Sequence, residues 1–146
     1  MHAFRTHNCA ALTESDVGQA VRLSGWIHRK RDHGQLVFID LRDQFGLTQC
    51  VVDSSDASFA LVEVTRLESV VTITGTVLRR SDDTINTSLP TGHIEVRIED
   101  FTVEHDYFPD PLNYPRDYYV IKCKIVNKNY PEFLRGITHK IVDLEF

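Results

Sequence analysis

The chain has few of the features that mark membrane-bound or secreted proteins. No apolar run in its 146 residues approaches the roughly 20 residues that a bilayer-spanning helix needs. The first seven residues, MHAFRTH, lack the apolar core of a signal peptide. We therefore expect a cytoplasmic protein that has no membrane partner.

Cysteine is scarce, with Cys9, Cys50 and Cys123 only. An odd, widely spaced set argues against a disulfide framework, and no Cys-x-x-Cys pair suggests zinc. The seven histidines also lack the spacing of metal ligands. The sequence therefore predicts free thiols in a reducing compartment and no metal site.

Catalytic motifs are missing as well. The chain contains no glycine-rich phosphate loop, no nucleophile elbow and no His-Glu-x-x-His sequence. Carboxylate pairs such as Asp82 and Asp83 lie in turn-rich sequence and are expected to be solvated. We predict no catalytic residues, so the sequence favours a binding function.

The charge distribution favours a polyanion as the ligand of a binding site. The net charge is −5, yet the segment from Arg22 to Arg42 has five Lys or Arg against two Asp, a local charge of +3. A basic face on an acidic body can bind a polyanion, because the local field steers association. The alternative is a solvated charge run on a loop.

Period-two alternation of apolar and polar residues predicts five short strands. They cover Val21–Ile27, Leu36–Leu41, Leu47–Asp53, Val70–Val77 and His93–Val103. Gly25 falls on the inner face of the first strand, where it would permit a bend or close packing. A helix is predicted over Ser55–Glu68, a short capped helical turn over Thr13–Asp16, and a long polar loop over Arg80–Gly92.

Five strands with a helix between the third and fourth are typical of an all-β OB-fold barrel. Such barrels bind oligonucleotides on the face of strands two and three and on the loops beside strands 1–2 and 4–5. The basic run is expected at the end of strand one and in the first loop, and residues 80–92 form the second. An SH3-like small barrel is the alternative.

The C-terminal part has a different composition. We predict a barrel domain over 1–104 and a linker with a C-terminal extension over 105–146. Residues 105–119 contain three of the five prolines and four tyrosines, which favours an extended connector. Weak alternation at 118–128 suggests a strand, and 137–146 a short helix or an added strand.

Phe38 is the most informative single residue. Its neighbours Val37 and Ile39 point to the core, so its ring lies on the polar face, where an unpaired base could stack. The alternative is a ring that covers the barrel against the helix at 55–68. The pattern alone leaves both interpretations open.

Three cations and two polar strand residues complete the candidate site. Arg29, Lys30 and Arg31 are interpreted as phosphate contacts, which supply salt-dependent affinity. Gln49 and Glu95 have the hydrogen-bonding groups that read base edges. From pattern alone, an ordinary surface role is favoured for Glu95.

Several separated motifs resemble one family. They are Trp26–Gly34 (WIHRKRDHG), Phe38–Asp43 (FIDLRD), Gly46–Asp53 (GLTQCVVD), Arg5–Cys9 (RTHNC) and Thr91–Val96 (TGHIEV). In order and spacing they resemble the N-terminal anticodon-binding domain of bacterial-type aspartyl-tRNA synthetases. The resemblance covers residues 1–104 and implies an OB barrel that binds the anticodon loop of tRNA.

The resemblance also implies roles for individual residues. Phe38 falls where the family stacks an anticodon base, and Gln49 and Glu95 fall where it reads base edges. Arg31 and Arg80 align with basic residues that contact the anticodon stem-loop. His33 falls where members differ in discriminating aspartate from asparagine tRNA, and a histidine there resembles the non-discriminating type.

The chain departs from the family beyond the barrel. Full members continue into a class II catalytic domain that binds ATP and Mg²⁺, and its motifs are absent here. Tyr114–Asp117 only faintly resembles the linker into that domain. We therefore expect no cofactor and no aspartate-dependent ATP–pyrophosphate exchange from this chain. It is equally compatible with a piece of a longer ligase, a truncated gene product and a stand-alone paralogue.

Three hypotheses of function follow. The first is the anticodon-binding module of an aspartate–tRNA ligase, with aspartate tRNA and, by the identity of residue 33, asparagine tRNA as partners. The second is a stand-alone OB protein that binds RNA or single-stranded DNA with little sequence preference. The third is an interaction domain whose basic strip is vestigial. The related anticodon domains of asparaginyl and lysyl synthetases are minor alternatives to the first. Full-length members are homodimers held largely by the catalytic domain, which leaves a monomer open for this chain.

Overall fold

A computed structural model describes residues 4–105 and shows a closed five-stranded barrel. The strands are β1 (Ala20–Asp32), β2 (Leu36–Arg42), β3 (Leu47–Asp53), β4 (Val70–Arg79) and β5 (Ile94–His105). A helix, α1 (Phe59–Val64), lies between β3 and β4, and a 3₁₀ helix covers Glu14–Asp16. The predicted OB-type barrel with one interposed helix is confirmed.

The barrel closes because β1 pairs with two neighbours. Its first half, Ala20–Trp26, runs antiparallel to β4, and its second half, Trp26–Asp32, runs antiparallel to β2. Gly25 lies at this change of partner, and a Cβ there would collide with the carbonyl oxygen of Arg42. The predicted close packing at Gly25 is therefore confirmed. A short parallel pairing of β3 with β5 completes the ring order β1-β2-β3-β5-β4.

The core forms where the predicted alternation places it. In β1, β2, β4 and β5 the predicted apolar face is buried inside the barrel. These side chains are Val21, Leu23, Ile27, Val37, Ile39, Leu41, Val71, Ile73, Val77, Ile94, Val96 and Ile98. Because the inner face is filled by side chains, a ligand of this barrel can bind only outside it or at its ends.

Two elements differ in length from their predictions. Helix α1 has six residues instead of the predicted fourteen, since its extended C-cap Thr65 ends it after a run of β-branched residues. Strand β1 extends to Asp32, so Arg29, Lys30 and Arg31 lie in a strand paired with β2 and not in a loop. A β-bulge between Ile27 and Arg29 interrupts the pairing of the second half of this strand with β2.

The linker and extension predicted over 105–146 lie outside the described residues, apart from His105, which ends β5. Between residues 4 and 105, no helix is long and apolar enough to cross a membrane. Cys9 and Cys50 are buried free thiols, as predicted, and burial raises the pKa of both.

Candidate nucleic-acid interface

The strand register places the candidate residues in two adjacent rows on the outer face of β1, β2 and β3. Phe38 lies opposite Arg31 on one side and Val51 on the other. Asp40 lies opposite Arg29 and Gln49 in the next row. Directly opposite side chains share one face of a sheet. The basic run and the aromatic ring therefore lie on one surface because of the pairing of β1 with β2.

This surface contains an open cleft of about 560 Å³. Its lining includes five of the eight candidate residues and is completed by Leu36 and the β4–β5 loop. The lining residues are Arg31, His33, Leu36, Phe38, Gln49, Ser81, Thr84 and Glu95. None of them belongs to α1, and the Phe38 ring faces the cleft.

A chain of hydrogen bonds fixes the polar wall of the cleft. Arg31 Nη2 donates to Asp40 Oδ1 at 2.8 Å and to Gln49 Oε1 at 3.1 Å. Gln49 Nε2 then donates to Glu95 Oε2 at 2.7 Å. The orientation of the Gln49 amide follows, since its oxygen faces a cation and its nitrogen faces a carboxylate. The side chains are thus held in place before a ligand arrives.

An edge-to-face ring pair forms the other wall. The rings of His33 and Phe38 are 5.5 Å apart at their centroids and 89° apart in plane. His33 lies in the β1–β2 turn, next to Gly34 at φ +83°, a backbone conformation that favours glycine. Both rings line the cleft.

Lys30 does not lie in the cleft. It pairs with Ile39 on the opposite face of the sheet, and Nζ donates to the backbone oxygens of Glu63 at 2.6 Å, Thr65 at 2.7 Å and Val62 at 3.3 Å. Burial lowers its pKa, against the opposing effect of Glu63 and Asp32. The structure thus makes Lys30 a cap for the C-terminal end of α1.

This position gives a test of Lys30. We expect Lys30→Met to lower the free energy of unfolding by about 1–2 kcal/mol, because the three carbonyl oxygens lose their charged donor. RNA affinity under folding conditions should change little. Arg29→Gln is the matched control and should weaken RNA binding without changing stability. Urea unfolding and RNA titration of both variants check this, and the reverse pattern would contradict it.

Arg80 is also withdrawn from the surface. It is buried, and its Nε donates to the backbone oxygen of Ile94 at 2.9 Å. Its Nη1 lies 3.4 Å from the backbone oxygen of Thr84, and burial lowers its pKa against the nearby charges of Glu95 and Asp40. In this structure Arg80 supports the loop that brings Ser81 and Thr84 to the cleft.

Arg29 remains at the surface. It is exposed directly after the bulge in β1, and among residues 4–105 no hydrogen bond or ion pair engages its guanidinium. It shares the outer row with Asp40 and Gln49. Its position suits a phosphate contact at the edge of the cleft.

Sequence reasoning missed Asp40, Ser81 and Thr84. The carboxylate of Asp40 orients Arg31, and the same alternation that selected Phe38 could have indicated it, because both lie on the outer face of β2. Ser81 and Thr84 come from a loop whose path no periodic pattern reveals. Within residues 4–105, no group of three His, Cys, Asp or Glu side chains is placed to hold a metal ion.

These observations define a class of protein. A closed five-stranded barrel with an aromatic ring, an arginine and hydrogen-bonding side chains around a cleft on β2 and β3 has the architecture of an OB-fold nucleic-acid-binding module. The tRNA anticodon family, described as the OB-fold nucleic acid binding domain, matches residues 21–104. The chain belongs to this family.

Relatives with close sequences give a narrower likeness. The chain is 52% identical over 123 residues to the aspartate–tRNA(Asp/Asn) ligase of Zymomonas mobilis, covering 80% of this chain and 21% of the relative. It is 43% identical over an alignment of 161 residues, gaps included, to the ligase of that name from Phenylobacterium zucineum, covering 100% of this chain and 27% of the relative. The chain thus spans about a quarter or less of these relatives.

Solved structures agree in fold. The asparaginyl-tRNA synthetase of Pyrococcus horikoshii is similar at a TM-score of 0.59 and 25% identity, over 91% of this chain and 27% of that one. A putative aspartyl-tRNA synthetase from Leishmania major has a TM-score of 0.62 at 19% identity, over 75% and 22%. The second likeness is one of fold alone.

Proposed function

We propose that this domain binds the anticodon loop of tRNA as the recognition module of an aspartate–tRNA ligase. One observation carries the proposal. The cleft on β2 and β3 combines the Phe38 ring with the hydrogen-bonded set of Arg31, Gln49 and Glu95. A separate catalytic domain would activate aspartate and transfer it to tRNA. The whole protein would work in the cytoplasm.

The cleft can divide recognition among its side chains. An unpaired base stacks on the ring face of Phe38, an interaction worth about 1–3 kcal/mol. After its bond to Glu95, the Gln49 amide nitrogen retains one hydrogen, and the second Glu95 oxygen remains an acceptor. Glu95 accepts hydrogen bonds only, so it selects a base edge that presents donors. Specificity then arises from edge chemistry.

The two arginines would hold the phosphate backbone. Arg31 retains donors beyond those used for Asp40 and Gln49, and Arg29 extends from the neighbouring row. Contacts of this kind position the RNA and make affinity fall with salt. Lys30 and Arg80, which the structure engages with backbone oxygens, would act by holding α1 and the β4–β5 loop.

The identity of residue 33 bears on which tRNA is bound. His33 lines the cleft beside Phe38, so it lies within reach of a stacked nucleotide. The Zymomonas and Phenylobacterium relatives are named for both aspartate and asparagine tRNA. We therefore propose that this domain accepts both tRNAs, and that His33 contributes to this breadth.

Binding of altered tRNAs tests the proposal. The full chain is titrated with aspartate tRNA, asparagine tRNA and versions of each with substituted anticodon bases, at two salt concentrations. We expect similar affinity for the two natural tRNAs and a loss of about tenfold or more for substituted anticodons, since each misread base costs its edge contacts. Unchanged affinity for substituted anticodons would contradict the proposal and favour an OB protein of low sequence specificity.

A further inference from the structure

Arg97 continues the row that contains Phe38 and does not line the cleft. The pairing runs from Arg31 on β1 to Phe38 on β2, Val51 on β3 and Arg97 on β5. Residues paired in this way present their side chains to the same face of the sheet. The side chain of Arg97 is 51% exposed. The row is therefore an aromatic ring and a valine between two arginines.

The ion pair that Arg97 forms with Asp56 is easily exchanged, and the charge of Arg97 also acts on the neighbouring Asp53. Arg97 Nη2 lies 3.4 Å from Asp56 Oδ1, in a single contact at the limit of hydrogen-bond length. Exposed ion pairs of this kind contribute about 0–1 kcal/mol. The other oxygen of Asp56 is already occupied, because Oδ2 accepts from the backbone nitrogen of Asp53 at 3.1 Å. Asp56 therefore holds Arg97 loosely near the outer face.

The distance between Phe38 and Arg97 in this row suits a bound single-stranded RNA. Neighbouring strands in a sheet lie about 4.8 Å apart, so Arg97 begins roughly 10 Å from Phe38, two strands away. The arginine side chain is long enough for its guanidinium to reach the RNA backbone, if that backbone runs from the base stacked on Phe38 toward β5. Val51 between them is almost fully covered and has no group that would hold a phosphate.

We propose that Arg97 is a phosphate subsite for the nucleotide that adjoins the base stacked on Phe38. In the free protein the guanidinium of Arg97 pairs with Asp56, and when RNA binds a phosphate replaces Asp56 as its partner. Guanidinium–phosphate pairs are charge-assisted and often bidentate, so the exchange replaces a weak contact with a stronger one. The inference rests on the proposed function, since it presumes a base on Phe38.

Three variants of the full chain test the subsite with an RNA hairpin that carries the aspartate anticodon loop. We expect Arg97→Gln to weaken binding about three- to tenfold at low salt and to reduce the slope of log affinity against log salt by about 0.7, the value of one phosphate contact on a single strand. Arg79→Gln is the matched control, because Arg79 is also 51% exposed and paired with acids, Glu14 and Asp82. Its salt slope should remain that of the wild type.

Asp56→Asn tests the exchange of partners. It retains an oxygen for the backbone contact and removes the competing charge, so affinity should rise about two- to threefold. In the Arg97→Gln background the same change should have less effect. Equal gains in both backgrounds, or equal salt slopes for Arg97→Gln and wild type, would overturn the inference.

The outcome for Phe38→Ala separates this failure from that of the proposed function. If Phe38→Ala weakens hairpin binding while Arg97→Gln leaves affinity and slope unchanged, the proposed function stands and the subsite is wrong. If neither variant differs from wild type, the proposed function itself fails.

Discussion

Phe38→Ala should weaken binding of the cognate anticodon hairpin about 5- to 150-fold, the equivalent of about 1–3 kcal/mol for the loss of one base–aromatic stack. The ring lines the open cleft, packs edge-to-face with His33 and lies outside the core cluster, so its removal leaves the barrel core intact. Stability should therefore change by much less than affinity. Fluorescence titration with labelled hairpin and urea unfolding of the same samples measure the two effects.

Phe45 provides the matched control for this experiment. Its ring is 55% exposed in the turn between β2 and β3, where the guanidinium of Arg5 lies 5.3 Å from its centroid. Phe45 does not line the cleft, so Phe45→Ala should retain wild-type affinity. Equal losses from both variants would mean that aromatic area in general, and not the position of Phe38, determines binding.

Gly25→Ala, which adds one methyl group to β1, should strongly destabilise the barrel. The new Cβ would collide with the carbonyl oxygen of Arg42, and Leu41 Cγ lies only 3.4 Å away. Backbone at a barrel corner cannot yield as a flexible side chain does, so we expect a loss of about 1–3 kcal/mol in the free energy of unfolding, or more. Urea unfolding gives the value.

The same variant links the fold to the site. Gly25 lies where β1 leaves β4 for β2, and the second half of β1 places Arg29 and Arg31 beside β2. A shift at this corner should therefore weaken RNA binding even in the fraction that remains folded. Gln19→Ala, at an exposed position just before β1, should change neither property. Stability of Gly25→Ala equal to that of the wild type would contradict the account of barrel closure.

The strands were predictable because period-two burial is a local property of sequence. Val37, Ile39 and Leu41 alternate with Phe38 and Asp40, and this alternation by itself gives both the core face and the outer face of β2. The resemblance to the synthetase family gave Gln49 and Glu95 a role in reading base edges, whereas the pattern alone favoured a surface role for Glu95. Both now lie in one hydrogen-bonded set with Arg31.

The residues that sequence reasoning misplaced depend on contacts between distant segments. Lys30 follows Arg29 in a basic run, but the alternation of a paired strand places it on the other face, where it contacts the backbone oxygen of Glu63, 33 residues later, at the end of α1. Arg80 begins a polar loop, yet its side chain turns inward because Ile94 and Thr84 present backbone oxygens there. Charge along the sequence does not reveal either partner.

Helix α1 shows the limit of apolar periodicity. Apolar residues recur through 59–67, which favoured a long helix, whereas the structure ends it at Val64. The hydroxyl of Thr65 donates to the backbone oxygen of Leu61 at 2.6 Å, and the ammonium of Lys30 covers the last carbonyls. Capping by a residue from β1 is a tertiary interaction, so the local sequence could not predict it.

Mapping the RNA footprint by NMR shows directly whether the β2–β3 cleft reads the anticodon. The full chain, labelled with ¹⁵N, is titrated with the aspartate anticodon hairpin while amide and side-chain shifts are followed. The account predicts that the largest changes occur at Arg31, Phe38 and the Gln49 side chain, and that the outer face of β4, at Thr72 and Thr74, changes little. Changes centred on β4, or an unchanged footprint when the anticodon bases are replaced, would contradict the claim that the β2–β3 cleft reads the anticodon.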